Sequence, residues 1–136
     1  MFFMAPEGFS FSNEGSIDSL ISKPTDPNFV VKFGKAMNGS ELTVKELSKI
    51  NRIFVYIENS GATAISIRGF KVTSVRRKSN GHLKIVQSFS ESKDVSPEMK
   101  KLLKRAEPGE RIYIEQVWVE MDGKSFVTKP ISITVI

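Results

Sequence analysis

The sequence predicts a mainly β fold: a β-sandwich-like domain with one short amphipathic helix before a C-terminal β-hairpin. Three observations carry this. Apolar and polar residues alternate with a period of two over much of the chain from Phe29 onward. Asn80-Gly81 and Asp122-Gly123 stand between alternating runs, which is the strongest short-range hairpin signal. Only the segment after Ser96 switches clearly to helical spacing.

Residues 1–27 read as an N-terminal tail or linker, and residues 28–136 as the β domain. The tail is rich in Ser, Gly, Asn and Pro and ends in Lys23-Pro24-Thr25-Asp26-Pro27, where two prolines favour an extended path. Phe9 and Phe11 alternate with polar residues, which allows a short strand at residues 8–12. Phe29-Val30-Val31-Lys32-Phe33 is a strand closed by Gly34, and Met37-Asn38-Gly39-Ser40 is a turn. Thr43 and Glu46 have capping-box spacing, so one helical turn is expected at residues 44–48. A strand competes there, because Leu42, Val44 and Glu46 also alternate.

Residues 50–58 form a clearer strand. Ile53, Val55 and Ile57 share one face, and Phe54 and Tyr56 the other, which predicts a central strand or a covered second face. Asn59-Ser60-Gly61 is a turn. A long strand over 64–77 changes parity around Gly69, since Ile65 and Ile67 stand opposite in phase to Phe70 and Val72. A bulge or bend is expected there. Residues 82–90 return as a strand. Ser96 then caps a helix that begins with Pro97. Met99, Leu102, Leu103 and Ala106 make its apolar stripe, and Pro108-Gly109 ends it. A final hairpin runs over residues 111–120 and 125–136.

Composition narrows the chemistry. The chain has 136 residues, no cysteine and one histidine, His82, so disulfides, thiolate metal sites and multi-histidine sites are excluded. No apolar run approaches the about 20 residues needed to span a bilayer. Net charge is +5. Residues 1–27 hold Lys23 against Glu7, Glu14, Asp18 and Asp26, a balance of −3, which leaves +8 on the rest. That balance suits an anionic partner or a solvated basic surface.

Two basic clusters are candidate contacts: Lys100, Lys101, Lys104 and Arg105 on the helix, and Arg76-Arg77-Lys78 at the mouth of a hairpin. No interleaved aromatics support nucleic-acid stacking. Glu110, Glu115 and Glu120 read as surface glutamates; an unbroken strand would put the last two on opposite faces. No nucleophile elbow or phosphate-binding glycine loop is present. Trp118 shares parity with Ile112 and Ile114, while Val117 and Val119 take the other. A bulge at Glu115-Gln116 would turn all four aliphatic residues inward and leave Trp118 outside, as a protein-contact anchor. Without the bulge, Trp118 is an ordinary core or edge residue.

A family resemblance adds to this reading. From Met99 to Glu115 the sequence runs from a short helix into Gly109-Glu110-Arg111-Ile112-Tyr113-Ile114-Glu115. It continues through Val117 and Asp122-Gly123-Lys124 to Lys129-Pro130-Ile131-Ser132-Ile133-Thr134-Val135-Ile136. This resembles the closing stretch of the GldM/PorM C-terminal domain family of gliding motility and type IX secretion. Asp26-Pro27, Asn38-Gly39 before Leu42, and Phe70-Lys71-Val72 have counterparts in the family, so the resemblance covers about residues 26–136. It departs at Glu120-Met121, where the family has Gly-Pro.

The resemblance implies a non-catalytic periplasmic docking domain. It implies no cofactor, a protein partner in the cell envelope, no nucleic acid and no membrane insertion by this segment, and it leaves a homodimer open. A ligand-binding module for an anionic glycan or lipid is the alternative, motivated by the charge.

Overall fold

The computed structural model describes residues 27–58 and 64–136. The expected tail strand at residues 8–12 and the turn at Asn59-Ser60-Gly61 fall outside these. Along the described chain the order is β1 (Phe29–Phe33), β2 (Glu41–Leu42), α1 (Val44–Ser48), β3 (Ile53–Ile57), β4 (Ser66–Arg77), β5 (Leu83–Ser90), α2 (Pro97–Lys104), β6 (Arg111–Met121), β7 (Lys124–Val127) and β8 (Ile131–Val135). The domain is mainly β, as the alternation predicts.

Two sheets share the strands. The larger has the order β2-β8-β6-β4-β5, with β7 also pairing to β6; the smaller is β1 with β3. β6 is the organising strand. Its first residues pair with β8, its last four with β7, and its other edge with β4. The return strand expected over 125–136 is therefore broken in two. Pro130 cannot donate to a ladder, and β8 resumes immediately after it. Thr128 stays attached through its N–H, which donates to the Val117 carbonyl at 3.0 Å. At the β6–β7 turn, Asp122 and Gly123 have φ of 53° and 76°. A two-residue hairpin turn that follows sheet twist needs these positive angles, and Asp-Gly tolerates them.

The small sheet lies over the large one. Phe33 on β1 packs against Phe70 on β4 with ring centroids 6.5 Å apart, and Phe29 against Phe126 on β7 at 5.4 Å. One apolar cluster fills the space between and includes Ile53, Val72, Ile112, Ile114, Val117 and Ile133. β3 differs from the expected central strand. Among the described residues it pairs only with β1, and Phe54 and Tyr56 are exposed rather than covered. Alternation reports which residues are apolar, not how many layers the fold supplies to bury them.

Among the described residues two helices, rather than one, pack on the core cluster through Leu47, Met99 and Leu103. The capping box decides α1: Thr43 Oγ1 accepts from the Glu46 N–H at 3.1 Å, and Glu46 Oε1 accepts from the Thr43 N–H at 2.9 Å. α2 starts as expected, with Ser96 Oγ accepting from the Met99 N–H at 3.2 Å and Pro97 in the first turn. Met99, Leu102 and Leu103 are buried beneath it, and Ala106 extends the stripe past its end.

The parity change in β4 is a register shift on both sides of Gly69. It lets Ile67, Phe70 and Val72 all pack on the core. A Cβ on Gly69 would stand 2.7 Å from the Ser90 carbonyl oxygen of β5. Gly69→Ala must therefore push β5 aside, with an expected loss of about 1–3 kcal/mol, as for overpacking. Urea unfolding measures it. An unchanged midpoint would show that β5 yields freely at this point.

Candidate functional site

The outer face of the large sheet turns away from the small sheet and the helices. Its character is set by β6. Glu115 stands opposite Lys71 and Trp118 opposite Gly69, so β6 carries one residue more than β4 over this stretch. Gln116 is the accommodating residue, with φ of 49°. Of the two alternatives the sequence left open, the structure takes the bulged one: Ile112, Ile114, Val117 and Val119 are all fully buried, and Trp118 is 47% exposed. It also puts Glu115 and Glu120 on the same face, where an unbroken strand would have separated them.

Charged pairs frame the tryptophan. Glu120 accepts from Arg68 Nε at 2.8 Å and Nη2 at 2.6 Å. Glu115 accepts from the Thr73 hydroxyl at 2.5 Å and lies 3.8 Å from Lys71 Nζ. Lys71 Nζ stands 5.8 Å from the ring centre of Phe89, within cation–π range. Phe89 is 61% exposed. Phe89 and Trp118 line one depression with Gly69 and Gln116 between them. Val127, opposite Trp118 on β7, is also exposed.

The basic candidates divide by what holds them. Lys100 Nζ donates to the Ser48 carbonyl at 3.0 Å, where a cation satisfies the end of α1. Arg76 is engaged within the fold. Its Nε donates to Glu110 Oε2 at 2.6 Å, its Nη1 lies 3.3 Å from Glu107 Oε2, and its Nη2 donates to the Arg105 carbonyl at 2.9 Å. Arg77 Nη1 reaches the Gly81 carbonyl at 3.3 Å, which ties it to the hairpin turn. Lys101, Lys104 and Arg105 are exposed. Lys101 and Arg105 line a groove between α2 and β5, together with Lys84, Val86 and Leu102.

Glu110 corrects the sequence reading. Expected at the surface, it is 2% exposed. Its carboxylate accepts from the Ser74 hydroxyl at 2.6 Å and from the Glu107 N–H at 2.9 Å, besides Arg76. A buried carboxylate with this many donors is a structural lock between β4, β6 and the end of α2. Lys84, Val86 and Phe89 were also missed. They belong to a strand whose alternation gave no reason to prefer either face.

The described residues hold no group of three His, Cys, Asp or Glu placed to bind a metal. No helix among them is long and apolar enough to cross a membrane. The assembly of a lopsided β-sandwich, two packed helices and an exposed aromatic outer face defines a small mainly-β domain. The chain belongs to the GldM C-terminal domain family, which matches residues 38–136. That family is one of gliding-motility and type IX secretion components and part of an envelope complex. No curated protein matches the chain.

Proposed function

We propose that this is a non-catalytic docking domain on the periplasmic side of an envelope complex, and that a protein partner seats on the outer face around Trp118 and Phe89. One observation carries the reading. A bulge at Gln116, with a positive φ on a residue that is not glycine, holds an indole outside a core that alternation alone would have had it enter. Aromatic anchors of this kind dominate binding energy when a partner covers them. The framing pairs Arg68–Glu120 and Lys71–Glu115 give the patch a polar rim. Membership of the family supports the location and the kind of partner.

Trp118→Ala tests the reading. Half of the side chain is already in water, so the loss of stability is expected to be about 1 kcal/mol, well below the about 3–5 kcal/mol of a buried aromatic. Recovery of the envelope partner by affinity purification should fall at least about tenfold, as for a central anchor. Equal recovery by the variant and the unaltered chain would remove Trp118 from the interface.

A further inference from the structure

β5 is an open sheet edge. One side pairs with β4 from Leu83 opposite Arg77 to Ser90 opposite Phe70. The other side makes no backbone hydrogen bond to any described residue. Residues 83–87 are exposed on both faces. Proteins blunt such edges with proline, bulges or repeated charge, because an open edge recruits another strand. β5 has no proline, pairs without a register shift and carries one charge, Lys84.

The surroundings select the incoming strand. Lys84 and Val86 stand opposite Arg76 and Ser74, on the side of the sheet that faces α2. A strand added to β5 would direct every second side chain into the groove beneath α2. Val86 and Leu102 give that groove apolar walls, and Lys84, Lys101 and Arg105 give it charge. Among the described residues these three cations form no ion pair. Of the groove's carboxylates, Glu110 is taken by Arg76, which leaves Glu98 against three cations. A second copy of this chain would bring the same cations against themselves, and like charges across strands repel.

We propose that β5 takes up an extended acidic segment of a partner protein as an added strand, its carboxylates lying beside Lys84, Lys101 and Arg105. Main-chain hydrogen bonds supply affinity in this mode, and the alternate side chains supply selection. Phe89 borders both depressions, but Trp118 is not among the residues that line the groove, so a substitution at Trp118 separates the two sites.

The test uses the full chain and a synthetic peptide of alternating glutamate and valine, with a lysine-for-glutamate counterpart as control. The acidic peptide is expected to slow amide hydrogen exchange across β5. The double variant Lys101→Glu, Arg105→Glu should weaken binding at least about tenfold, as expected for removed and reversed charge pairs. Lys84→Glu should act in the same direction, by an independent substitution on the strand itself. Trp118→Ala should leave peptide binding unchanged. Four results would overturn the proposal: no protection of β5, equal binding of the lysine peptide, preference for a sulfated glycan or anionic vesicles over the peptide, or protection of β5 that grows with protein concentration when no peptide is present.

Discussion

Arg76→Ala is expected to destabilise the domain by about 3–5 kcal/mol, as when one partner of a buried ion pair is removed. Among the described residues the guanidinium is the only cation on the Glu110 carboxylate. Glu110 is 2% exposed, so the abandoned charge has no route to water without local opening. The Ser74 hydroxyl and the Glu107 N–H would remain, but they do not neutralise it. Glu110→Gln should cost less. An amide can donate to Ser74 through its nitrogen and accept from Arg76 and Glu107 through its oxygen, losing charge but few hydrogen bonds. The double variant Arg76→Met, Glu110→Leu should be less destabilised than Arg76→Ala alone, because no buried charge is left unpaired. Urea unfolding of the three variants measures the order. A loss below about 1 kcal/mol for Arg76→Ala, the range of exposed pairs, would show that the lock is open to solvent.

Phe33→Ala is expected to cost a similar amount, about 3–5 kcal/mol for a buried aromatic. That is a large share of the about 5–15 kcal/mol typical of a whole domain. Phe33 is fully buried and touches β4 through Phe70. It is one of the few side chains by which the two-stranded sheet holds the larger one, and a two-stranded sheet has little stability of its own. Phe54→Ala on the neighbouring strand provides the contrast. Phe54 is 47% exposed, so its removal should cost about 1 kcal/mol or less. Thermal unfolding of the two variants separates them. Equal losses would mean that the small sheet is held by its solvent face.

Much of the fold was legible because its signals are local. Ser96, Pro97 and the stripe Met99, Leu102, Leu103 and Ala106 lie within a dozen residues, and they fix α2 without reference to the rest of the chain. The bulge at Gln116 was legible as one of two alternatives: Ile112, Ile114, Val117 and Val119 cannot all be buried on a regular strand, but the sequence did not say that all four are buried. Burial of Glu110 was not legible. It depends on Arg76 and Ser74, which lie 34 and 36 residues away and become neighbours only once β4 pairs with β6. Exposure of Phe54 and Tyr56 was hidden for a related reason: the strand's own pattern is that of a two-sided core strand, and among the described residues no second layer covers its outer face. The division of the basic helix residues was equally hidden. Lys100 and Lys101 are adjacent in sequence, yet one is spent on the end of α1 and the other lines the groove.

The weak attachment of β5 has a kinetic consequence. None of its residues belongs to the buried core, and one hydrogen-bonded edge holds it to β4. Such a segment can detach while the rest of the domain stays folded, because opening exposes little apolar surface that is not already wet. Detachment would uncover the β4 edge, including the turn-side stretch from Val75 to Arg77, and would leave the Arg76–Glu110 lock and the β6 bulge in place. The domain is therefore expected to open in two steps, with amide hydrogen exchange faster in β5 than in the body built on β4, β6 and β8.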